Sequence, residues 1–99
     1  MVVRGASEEI GHWVDAAPFR AQLHHLMGST ALSVAEVAMA AGISRRLAVH
    51  LAYGRNGRAL RRVSPETGRR LMALSVTQLR RWRSRRLATA RADQDGHAA

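Results

Sequence analysis

One segment limits the folds open to this chain more than any other: Leu32 to Gly54, LSVAEVAMAAGISRRLAVHLAYG. It reads as two short helices joined by a tight turn. Ser33, with Glu36 three positions on, forms a capping box in which each side chain satisfies a backbone N–H at the helix start. Leu32 and Val37 flank that box as a hydrophobic staple, so the first helix begins at Val34. Its positions Val34, Val37, Ala38 and Ala41 follow the i, i+3, i+4, i+7 spacing of one buried face. Gly42 ends it, because a sharp turn after a helix favours a residue that tolerates positive φ. Ile43 is expected to plug the core beneath the turn, and Ser44 to cap the second helix. In that helix Leu47, Ala48, Leu51 and Ala52 share one side, while Arg45, Arg46, Val49, His50 and Tyr53 share the other. Gly54 closes it.

A short second helix with its polar groups on one face has the layout of a helix-turn-helix, whose second helix enters the major groove of DNA. The pattern V-A-x-x-A-G-I-S, eight more residues and then Y-G resembles the phage-repressor type of that motif. In that family a small residue, here Ala38, lets the two helices approach, and the glycine, here Gly42, makes the turn. An aliphatic residue follows, here Ile43, and a serine, here Ser44, opens the recognition helix. The resemblance spans roughly Asp15 to Leu74. It departs at Ala48, where the family has a larger β-branched residue, and at Val34, where it often has glutamine. It implies an all-α fold, a compact four- to five-helix repressor-like domain carrying a C-terminal Arg-rich helix. The function it implies is sequence-specific binding of double-stranded DNA in transcription regulation. On this reading Ser44, Arg45, Arg46, Val49 and His50 face base edges, arginine gripping guanine and Val49 meeting a thymine methyl. Ser33, Tyr53, Arg55, Asn56, Arg58, Arg61 and Arg62 hold phosphates, Ser33 because a helix start offers free N–H groups.

Charge points to the same partner. Ninety-nine residues make one small domain with one modest core. All sixteen basic residues are arginine, which in part fits the codon usage of a GC-rich genome. Their placement is less easily ascribed to composition. Residues 1–43 hold two arginines and four acids, whereas residues 44–91 hold fourteen arginines and one acid, Glu66. A solvated face mixes signs, and a block of one sign attracts polyanions. There is no cysteine, which excludes disulfides and thiolate metal sites. No membrane span or signal segment is apparent, so a cytoplasmic, nucleoid-associated protein is expected.

The remaining segments arrange themselves around the motif. Residues 1–12 read as a flexible N-terminal segment, with a short helical turn from Ser7 ended by Gly11. Residues 13–74 form the DNA-binding domain, 75–92 an Arg-rich helix and 93–99 a disordered tail. Asp15 is expected to cap a first helix that has Pro18 in its first turn, Phe19, Leu23, Leu26 and Met27 as its buried stripe, and Gly28 at its end. Residues 54–63 read as a basic loop, with a hairpin turn at Asn56-Gly57 as the alternative. Ser64-Pro65-Glu66 opens the next helix, with Thr67, Leu71 and Leu74 inside. Ser75 and Gln78 form a second capping box. A weak homodimer, or a monomer that pairs only on DNA, is expected through Val76, Leu79, Trp82 and Leu87, unless Leu79 and Trp82 fold back onto their own core.

Other chemistries find little footing. The five histidines lack metal spacing, and His24 and His25 point about 100° apart on a helix. The acids are scattered and no glycine-rich phosphate loop occurs, so no catalytic residue, metal, cofactor or small-molecule ligand is expected. Two other readings stay open: a helix-turn-helix-shaped protein-interaction module, and a sequence-independent nucleoid or architectural DNA binder.

Overall fold

Serine starts four of the five helices among the described residues. A computed structural model of the chain describes residues 12–98, with side-chain surroundings as far as Ala92. The elements in chain order are β1 (Val14–Asp15), α1 (Ala17–Thr30), α2 (Val34–Ala41), α3 (Arg45–Tyr53), β2 (Arg62–Val63), α4 (Pro65–Met72) and α5 (Val76–Ala98). The hydroxyls of Ser33, Ser44, Ser64 and Ser75 accept from the N–H of Glu36, Leu47, Thr67 and Gln78 at 3.1–3.2 Å. Each satisfies a donor that the helix start leaves free. Both capping boxes close, with Ser33 N–H on the Glu36 carboxylate and Ser75 N–H on the Gln78 amide oxygen. The N-terminal expectations for residues 1–11 lie outside the described residues.

The turn between α2 and α3 is a Schellman motif. Gly42 sits at φ 74°, and Ile43 N–H donates to Ala38 O and Gly42 N–H to Met39 O. Ile43 then packs against the core as expected. Ala38 and Ala48 are both buried, so the side-chain volume missing at Ala48 leaves it inside the fold.

The core draws on every element except β1. Leu23 and Leu26 come from α1, Val37 from α2, Leu51 from α3, Val63 from β2, Leu71 from α4 and Leu79 from α5. Burying one such side chain stabilises by about 1.5–3 kcal/mol. Helices α1 and α4 meet where Gly68 lies under the Phe19 ring; a Cβ there would come within 2.7 Å of the ring edge. Among the described residues no helix is long and apolar enough to cross a membrane.

Several expectations need correction. Helix α1 does not stop at Gly28 but continues to Thr30 and ends on Ala31 at φ 58°. The Thr30 hydroxyl donates to Leu26 O and accepts from Leu32 N–H, which caps the end without glycine. At the other end Ala16 occupies the cap position, and Asp15 accepts only from Ala17 N–H at 3.2 Å. The loop after α3 contains the hairpin turn at Asn56-Gly57. Asn56 and Gly57 take φ 52° and 75°, and Arg55 and Arg58 exchange both backbone hydrogen bonds. A two-stranded antiparallel sheet was not foreseen. Val14 pairs with Val63 and Asp15 with Arg62, too short a run for alternation to register in sequence. Helix α5 runs to Ala98, past the end expected at Ala92; no proline interrupts the chain after Val76. Leu79 is wholly buried in the chain's own core, with Val76 and Trp82 packed against it. That removes Leu79 from the stripe Val76, Leu79, Trp82 and Leu87 expected to carry a homodimer and leaves only Leu87 exposed.

Candidate nucleic-acid interface

Helix α3 is the centre of the site, and what holds it was invisible in the sequence pattern. The last turn of a helix leaves carbonyls without partners. Gly54 N–H takes His50 O at 2.8 Å. From α1, Arg20 Nε donates to Leu51 O at 2.9 Å, and its terminal nitrogen reaches Leu60 O. The His24 ring, also from α1, bonds Ala52 O at 2.9 Å and meets Tyr53 edge-on at 5.8 Å. Arg20 and His24 therefore fix both the end of α3 and the loop beyond it. These are positioning residues that sequence reasoning missed, since their partners are backbone carbonyls about thirty residues away. Nothing in side-chain spacing signals such a bond.

The exposed face of α3 carries the expected groups. Arg45 and Arg46 are exposed, and Val49 and His50 are half-buried. With Ser44 and Arg55 they line one open groove of about 830 Å³. All five residues expected to read bases are thus brought together. Gly54 shapes the groove's far wall. Its φ 80°, ψ −176° lies in a region essentially reserved for glycine, and a Cβ would fall 2.6 Å from Arg58 O.

The expected phosphate-holding residues divide into those left free and those already bonded. Arg55, Asn56 and Arg58 project from the hairpin beside α3, and Arg61 follows them; all are exposed. Tyr53 is 64% exposed. Arg62 lies in β2, with its guanidinium 3.5 Å from Trp13 O. Ser33 is already engaged: its N–H is held by the Glu36 carboxylate, and its hydroxyl accepts from Glu36 N–H. That carboxylate stays ionised to lower pH than usual, because it accepts the Ser33 backbone N–H. A phosphate approaching Ser33 meets a neighbouring negative charge.

Arginines elsewhere split by partner. Arg70 donates to Gly42 O in the motif's turn and pairs with Glu66 at 2.8 Å. Arg80 and Arg83 bond Ser29 O and Thr30 O, the open carbonyls of α1. Arg86 lies 4.9 Å above the Trp82 ring. These four brace the fold. Among the described residues Arg45, Arg46, Arg55, Arg58 and Arg61 have no such side-chain partner, and they surround α3. Among the described residues no cluster of three His, Cys, Asp or Glu side chains converges as a metal site. Comparison with protein-family models, curated proteins and solved structures returns no match.

Proposed function

We propose that the chain binds double-stranded DNA sequence-specifically, as a transcription regulator, with α3 in the major groove and residues 55–62 on the adjoining backbone. The observation that carries this reading is the α3 groove. Two guanidiniums without a partner among the described residues, a half-exposed aliphatic group and an imidazole share one helix face, and the C-terminal end of that helix is fixed by Arg20 and His24. Guanidiniums fit the paired acceptors of guanine, and preorganised helices place them without further ordering. Arg55, Arg58 and Arg61 lie beside that face at the distance of one short loop, where phosphates flank a major groove.

Selection of bound sites from a random duplex pool tests the proposal, and a recovered consensus is expected. On the best site Arg46→Ala costs about 1–3 kcal/mol and relaxes one base position, whereas Arg61→Ala weakens all sequences alike. Uniform loss from both variants points to the sequence-independent binder instead. No enrichment of any duplex points to the protein-interaction module.

A further inference from the structure

A second set of arginines surrounds a different hollow. Between α2, α4 and α5 lies a groove of about 550 Å³ with Ala40, Ala41, Ala73, Leu74 and Trp82 among its lining. Arg81 and Arg85 are exposed on its α5 side and, unlike their neighbours Arg80, Arg83 and Arg86, have no hydrogen-bond, ion-pair or ring partner among the described residues. A second, shallower hollow of about 410 Å³, lined by α5 residues alone, begins at Trp82 and reaches Thr89 and Ala90. From Gln78 to Ala90 the two hollows follow α5 for about 18 Å at 1.5 Å per residue, three turns of a facing helix. Among the described residues no carboxylate lines either one.

We infer that this groove docks an acidic segment of a partner protein that inserts apolar side chains between α2, α4 and α5 and sets its carboxylates against Arg81 and Arg85. Each feature selects that occupant over others. The small residues Ala40, Ala41 and Ala73 leave depth for inserted side chains, and Leu74 and Trp82 give them apolar walls. Removing such surface from water is favourable, and tryptophan with arginine is a usual anchor pair at interfaces. A second copy of this chain brings the same arginines and is repelled. A duplex is too broad for a slot between helices, and its phosphates gain nothing from an alanine-lined floor. Carboxylates flanking the anchors complement the rim and speed encounter.

The inference does not depend on the DNA reading, and its test is separate. Two helix-forming peptides of about fourteen residues are titrated into the full 15N-labelled chain: one with leucines at i, i+3, i+4, i+7 flanked by glutamates, and its Glu→Gln twin. The Trp82 indole signal, assigned with Trp13→Phe, is followed alongside the backbone amides of residues 40–41 and 78–90. Saturable shifts confined to those positions are expected with the acidic peptide. The Gln twin, and the acidic peptide on Arg81→Ala/Arg85→Ala, should bind about tenfold more weakly. Those two arginines have no hydrogen-bond or ion-pair partner among the described residues, so the double variant is expected to keep the wild-type melting temperature. Equal binding of both peptides, undiminished binding by the double variant, or no saturable shift overturns the inference. Displacement of the peptide by a duplex, with Trp82 itself shifting on DNA, also overturns it and assigns the groove to nucleic acid.

Discussion

At the scale of single residues, two side chains set measurable terms of stability. Ala31 closes α1 at φ 58° without being glycine. An L-residue in this conformation is strained by about 1–2 kcal/mol, part of which glycine's greater freedom in the unfolded chain cancels. Ala31→Gly is therefore expected to stabilise the fold by about 0.5–1 kcal/mol, read as a higher urea midpoint at unchanged m-value. An unchanged or lower midpoint would mean that the Thr30 hydroxyl bonds already absorb the strain. Glu36 gives the pH-dependent term. Its carboxyl is held below the usual range first by the Ser33 backbone N–H; slight burial opposes this, and the Ser33 hydroxyl with the charges of Arg86 and Arg83 supports it. A group whose pKa is lower folded than unfolded stabilises above its unfolded pKa, near 4.3, and loses that contribution as pH falls through the folded value. Glu36→Gln keeps an acceptor for the capping box but cannot titrate. Between about pH 6 and pH 3 the variant should lose less stability than the wild type, and parallel pH profiles would count against the assignment.

At the scale of elements, the parts legible in sequence were those governed by local chemistry. The helix starts at Ser33, Ser44, Ser64 and Ser75 and the turn at Gly42 follow from hydrogen bonds between residues a few positions apart. The buried side of α3, with Ala48, Leu51 and Ala52, follows from helical spacing. What escaped depends on contacts between distant segments. The pairing of Val14 with Val63 is held by tertiary packing over two residues, and Gly68 matters only because Phe19 crosses it. The stripe on α5 was visible, but whether Leu79 faced a partner or its own core was a question of how α5 returns to α1. The site shows the same division: the residues on α3 were readable, and the carbonyl caps from α1 were not. Arg20 offers the check at this scale. Arg20→Met retains much of the apolar stem but strands Leu51 O and Leu60 O in part-buried positions. A loss of about 1–3 kcal/mol in stability is expected. DNA affinity should also fall under conditions where the variant is fully folded, because the loop carrying Arg55 and Arg58 loses its anchor. Retained affinity would show that the loop is ordered without Arg20.

At the scale of the whole molecule, the charge is divided between two faces with different neighbours. The chain carries net +9, and its arginines lie almost wholly in residues 44–91. If this excess acted as one diffuse cloud, every exposed arginine would contribute alike to binding a polyanion. The structure instead separates Arg45, Arg46, Arg55, Arg58 and Arg61 around α3 from Arg81 and Arg85 on the groove between α2, α4 and α5. Each phosphate contact a protein makes releases counterions and steepens the fall of log K with log salt by about 0.9. With four to seven contacts around α3 and its loop, the slope on the selected duplex should lie near −4 to −6. Arg58→Ala/Arg61→Ala should flatten it by nearly two units, because two counterion-releasing contacts disappear. Arg81→Ala/Arg85→Ala removes the same formal charge and should leave the slope within about half a unit of wild type. Equal flattening by the two double variants would mean that the duplex senses only net charge, and the α3 face would then have no special claim as the interface. A slope shallower than about −2 in the wild type would exclude a phosphate-based contact of this extent altogether.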